Sequence, residues 1–99
     1  MASTNKLYQT SVTTTAKIII QPNVGDQYTM SQLLVHNPTA SLETFKIHIN
    51  ETQIFEQAIP PKNTFAINGP WTLAYGDVVH CESTNDALVF ISFGILITA

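Results

Sequence analysis

Alternation of apolar and polar side chains, with no helical periodicity, organises this chain. In Thr44-Phe45-Lys46-Ile47-His48-Ile49 the residues Phe45, Ile47 and Ile49 fall on one side of a strand, Lys46 and His48 on the other. Strand composition between turn clusters predicts further strands over 7–13, 16–20 and 27–36, with Leu33 and Val35 facing inward in the last. Gln21-Pro22-Asn23-Val24-Gly25-Asp26 is a polar turn, and Asn37-Pro38-Thr39 ends the third strand because proline has no N–H for the ladder. Asn50-Glu51 then makes a tight reversal into a strand over 52–58 that carries Ile54 and Phe55. Ile59-Pro60-Pro61-Lys62-Asn63 is expected as an extended surface link into a strand over 64–67, and Asn68-Gly69-Pro70 as a turn. A short strand over 71–73, the turn Ala74-Tyr75-Gly76-Asp77 and a strand over 78–82 with Val79 and Cys81 inward complete the series before the closing segment.

That closing segment, Ala87 to Ala99, is apolar on both faces. Ala87, Val89, Ile91, Phe93 and Ile95 alternate with Leu88, Phe90, Ser92, Gly94 and Leu96, whereas a half-buried strand shows water every second side chain. Either the strand lies at the centre of the fold with both faces covered from within, or another subunit covers Leu88, Phe90 and Leu96.

About eight or nine short antiparallel strands imply an all-β chain folded as a single antiparallel β-sandwich over residues 1–99. Jelly-roll and immunoglobulin-like topologies are both open, and no long helix is expected. Met1 to Asn5 is the one stretch expected to be loose, as an N-terminal arm.

Composition narrows the function. The chain has 99 residues, 11% of them charged, with a formal net charge of −3. Its cations Lys6, Lys17, Lys46 and Lys62 are scattered and no Arg occurs, so there is no basic stripe to neutralise phosphates and nucleic acid is not an expected partner. The same scarcity, with no apolar run of the roughly 20 residues a span needs, argues against a membrane partner and for a soluble protein. One cysteine, Cys81, cannot form an internal disulfide, and the first residues contain no apolar core of a secretory signal.

Candidate chemistry is thin. His36, His48 and His80 lie on three different strands without ligand spacing, so no metal is expected. His80 and Cys81 are adjacent and point to opposite faces of a strand, which separates a thiol from its base and leaves Cys81 as a structural core residue. The carboxylates fall in turns and strand ends, and isolated glycines form no phosphate cradle, so no catalytic residue and no cofactor is assigned and the chain is read as non-enzymatic. Trp71 and Tyr75, beside turns, could serve as anchors or as a platform for a sugar ring.

The order of segments from about Lys6 to Ile97 has a parallel. Leu-Leu-Val-His-Asn-Pro-Thr, the Phe-Lys-Ile-His-Ile strand, Ile-Pro-Pro-Lys-Asn-Thr, Leu-Ala-Tyr-Gly-Asp-Val-Val and the closing apolar strand together resemble small β-sandwich structural proteins of tailed bacteriophage virions. The resemblance implies a virion protein assembled in the bacterial cytoplasm, of the head decoration (cement), neck or tail accessory type. Its partners would be further copies of itself, as a trimer or dimer, and the major capsid protein. Leu88, Phe90 and Leu96 are the expected interface residues, with Trp71 and Tyr75 as anchors. A tail or neck accessory, or a carbohydrate-binding host-recognition module, is the alternative.

Overall fold

Strand pairing in this chain is symmetric about its middle. The computed structural model describes residues 2–11, 14–15 and 17–98 and contains eight strands among them: β1 (Ala2–Ser11), β2 (Lys17–Ile20), β3 (Gln27–His36), β4 (Glu43–Ile49), β5 (Thr52–Ile59), β6 (Thr64–Ala74), β7 (Val79–Ser83) and β8 (Val89–Thr98). β4 pairs with β5, β3 with β6, β2 with β7 and β1 with β8, all antiparallel, so the chain runs as one long double ribbon. The ribbon reverses at Asn50 and Glu51, whose φ angles of 50° and 71° suit the twist of a two-residue hairpin. It then rolls up, because β8 also pairs with β3 and β7 with β4. Two four-stranded sheets result, sheet A in the order β1-β8-β3-β6 and sheet B in the order β2-β7-β4-β5. This is a β-sandwich of jelly-roll topology, which settles the choice left open by the sequence.

The core lies between the sheets and follows the alternation. Tyr28, Met30, Leu33 and Val35 from β3 meet Phe45 and Ile47 from β4 and Val79 and Cys81 from β7, all fully buried. Phe45 stands edge-on to Phe90 with ring centres 5.8 Å apart. Tyr28 is buried with its hydroxyl 2.8 Å from Ser92 Oγ, so that two polar groups inside the sandwich satisfy each other. Its ring occupies the space a side chain at position 94 would take: a Cβ there would stand 2.7 Å from the ring and collide with the Thr29 carbonyl oxygen, which is why Gly94 interrupts an otherwise bulky strand.

Three sequence expectations are corrected. Ala2 to Asn5 is no loose arm but the first half of β1, in register with Ile95 to Thr98. Ladder hydrogen bonds hold it, and these need no apolar side chain. The strands over 64–67 and 71–73 are one strand, because Asn68-Gly69-Pro70 is absorbed as a bulge opposite Ser31 with a cis Gly69-Pro70 bond. β6 is an edge strand, where a proline costs no ladder bond. Finally, Pro60 to Asn63 is a turn closed by the Asn63 N–H on Pro60 O, with Lys62 at φ 59°, and not an extended link. Residues 1, 12, 13, 16 and 99, which open the expected arm, close the predicted first strand, open the second and end the last, lie outside the described residues.

Candidate functional site

β8 is an interior strand of sheet A, flanked by β1 and β3, and its two apolar faces meet different surroundings. Leu88 and Phe90 are fully buried against sheet B, and Leu96 is half-buried against the same core. The assignment of Leu88 and Phe90 to a subunit interface is therefore corrected, since the fold itself buries them, whereas Leu96 keeps part of its surface open. Trp71, in register with the buried Met30, also packs on the core and is no free anchor. Tyr75 stands apart from it on the exposed β6–β7 turn.

The outward set of β8 is Val89, Ile91, Phe93, Ile95 and Ile97. Phe93 and Ile95 are 39% and 47% exposed, and Leu7 of β1, directly opposite Phe93, is 49% exposed. These residues form an apolar stripe along the middle of the sheet. On one side β1 lays Ser3, Asn5, Gln9 and Ser11. On the other, β3 lays Gln27, Thr29, Ser31, Gln32, Leu34 and His36. Beyond these, β6 presents Thr64, Ala66, Asn68, Pro70, Thr72 and Ala74, all exposed. No Asp, Glu, Lys or Arg stands among them. Lys6, the cation of β1, alternates to the other side, with Nζ 5.1 Å from the centre of the Tyr8 ring.

Five of the outward polar side chains, all on β3 and β6, have partners within the sheet. Gln32 Nε2 donates to Asn68 Oδ1 at 3.1 Å, Ser31 Oγ donates to Phe93 O at 2.9 Å, and His36 Nδ1 lies 2.8 Å from Thr64 Oγ1. Beside Phe93 the face is hollowed by a depression of about 540 Å³, bounded by Lys6, Leu7, Phe93 and Ile95 on one flank and Thr29, Ser31 and Pro70 on the other. The bulge at Ser31 and Pro70 bends β3 and β6 there.

Sheet B shows the opposite character outside. Lys46 stands in register with both Glu56 and Glu82, 3.8 Å from the Glu56 carboxylate, and His48 is opposite His80. Such exposed pairs belong to a solvated face. His36 lies on the other sheet, and among the described residues no three His, Cys, Asp or Glu side chains are grouped so as to hold a metal. Cys81 is buried, and burial raises its thiol well above the ordinary range, so that a thiolate nucleophile is disfavoured.

The turns at one end are tied together by Asn50 and Asp77. Asp77 accepts hydrogen bonds from Ala74 N–H and the Asn50 side chain, both at 2.9 Å, while Asn50 Oδ1 accepts from Val78 N–H at 2.8 Å. The backbone donor first and the Asn50 amide second hold the Asp77 carboxyl below its ordinary value of 3.8. A carboxyl lowered in the folded state contributes stability that is present above the unfolded value and lost as pH falls through the folded one. Thermal unfolding from pH 6 down to about pH 2 is therefore expected to show a smaller acid-side loss in Asp77→Asn than in the parent chain.

No protein-family model matches this chain, and no curated protein matches it. Among solved structures it is similar to a protein of Bacillus endospore appendages, which "form a novel family of disulfide-linked pili", with a TM-score of 0.58 and 16% identity over 98% of this chain and 87% of that one. At that identity the likeness concerns the fold.

Proposed function

We propose that this chain is a non-enzymatic structural subunit, and specifically a head decoration (cement) protein of a tailed-phage virion, which associates with its own copies and with the major capsid protein. The observation that carries the reading is the outer face of sheet A, an apolar stripe flanked by polar residues without Asp, Glu, Lys or Arg. Contiguous apolar surface of this kind marks protein contact. The order of segments resembling phage sandwich proteins of the head decoration, neck or tail accessory type supports a virion role. Mechanistically the subunit acts by mass action: binding only the assembled shell stabilises it, and the gain is repeated at every site.

A fibre subunit is the second reading, favoured by the fold likeness to a pilus protein. Disulfide linkage through Cys81 is opposed by the burial of that thiol. A sugar platform is disfavoured because Trp71 packs on the core and leaves Tyr75 alone.

The test is quantitative mass spectrometry of density-gradient fractions from cells that make the protein, with electron microscopy of the same fractions. Many copies co-purifying with capsid shells are expected. A few copies per particle point to a neck or tail accessory, filaments point to the fibre subunit, and recovery only as free protein overturns the structural reading.

A further inference from the structure

The outer face of sheet A needs an occupant, and charge restricts what it can be. The chain carries a net charge of −3, so two copies repel through most orientations. Sheet B would set Lys46, Glu56 and Glu82 against their own counterparts. Sheet A directs no Asp, Glu, Lys or Arg side chain outward from its four strands, Lys6 alternating to the other side although it borders the hollow, so stacking sheet A on itself sets no such charges against each other. On its β3 and β6 half, Gln32, Ser31 and His36 already have partners within the sheet, which lowers the desolvation cost of those groups. The area suffices: four strands about 4.8 Å apart and ten residues long cover roughly 600 Å² per copy, about 1,200 Å² for two, the lower edge of stable specific interfaces.

Relief fits as well. Phe93 projects beside the hollow bounded by Thr29, Ser31 and Pro70. A ridge next to a hollow is what a two-fold axis requires, since each copy must present both halves of the contact.

We propose that the outer face of sheet A is covered by a second copy of this chain, the two sheets stacking about 10 Å apart around a two-fold axis with Phe93 of each copy in the hollow of the other. The proposal rests on the structural-subunit reading and names the partner of that surface: the building block is a dimer.

Light scattering of the purified chain over a range of concentrations tests it, beside Phe93→Lys and Leu7→Lys, with circular dichroism to confirm folding. The parent is expected at twice the chain mass. Each lysine variant is expected as a folded monomer, its association weakened about 100-fold or more by unpaired charges buried in an apolar contact. Leu7 and Phe93 lie on different strands, so one variant's failure to fold leaves the other as the test. A parent that is monomeric or trimeric, or a dimer that survives both substitutions, overturns the proposal. If a monomeric parent still co-purifies with particles, another protein covers the face and the structural-subunit reading stands; if it does not, both fail.

Discussion

Phe90→Ala is expected to unfold the domain and not merely to loosen an assembly. Phe90 is 1% exposed, lies edge-on to Phe45 and sits on the inner face of the strand that joins β1 to β3. Truncating a buried phenylalanine removes its transfer free energy and leaves a cavity, together about 3–5 kcal/mol. A domain of this size has roughly 5–15 kcal/mol in all, so the variant stands near the threshold of folding. Urea unfolding at low protein concentration, where association contributes little, measures the loss. Phe93→Ser, three residues on and facing outward, is the contrast, with an expected change in that experiment within about 1 kcal/mol. Equal losses at both positions would mean that β8 does not present the faces described.

Asn37→Ala is expected to cost about 2–4 kcal/mol. Asn37 is fully buried just beyond β3, and its amide works as a splice between two connections. Nδ2 donates to Ser41 O at 2.9 Å and Ile59 O at 3.0 Å, with Pro60 O at 3.3 Å, while Oδ1 accepts from Thr39 N–H at 3.0 Å and Thr39 Oγ1 at 2.7 Å. The β3–β4 loop is thereby fastened to the end of β5. Alanine deletes these bonds and leaves the Ile59 carbonyl buried without this donor, and the unmet group costs more than the bond contributed. For a domain near 100 residues the melting temperature should fall by roughly 10–20 °C. Asn37→Asp should lose as much at neutral pH, because a carboxylate accepts but cannot donate to Ser41 O and Ile59 O. A melting temperature unchanged in both variants would show that the splice contributes nothing.

The two predictions sort the features that hold the chain into a core and a connection, and the two were unequally visible in the sequence. Alternation placed Leu33, Val35, Phe45, Ile47, Val79 and Cys81 correctly, because a side chain's face follows from the pleat alone. Asn37 gave no such signal: an asparagine before a proline reads as an ordinary turn residue. Its burial arises from Ile59 and Ser41, distant along the chain or outside any strand. The first half of β1 was missed for a related reason. Ser3, Thr4, Asn5 and Lys6 carry no apolar pattern, and their order comes from backbone pairing with β8, more than 80 residues away. Gly69-Pro70 was misread in the other direction, since residues that stop a central strand are tolerated as a bulge on an edge.

The sequence by itself determined the all-β class, most turns and strand positions and the fact that the closing strand is apolar on both faces. These are local properties, dictated by the two-residue period of a strand and by residues that favour or refuse particular backbone angles. Only the tertiary structure decided that the topology is a jelly roll, that Leu88, Phe90 and Trp71 turn inward, and that Val89, Ile91, Phe93 and Ile95 turn outward. Those outcomes depend on which strands pair across long stretches of chain and on which face meets the second sheet, and a pattern that is apolar on both sides contains no information to choose between them.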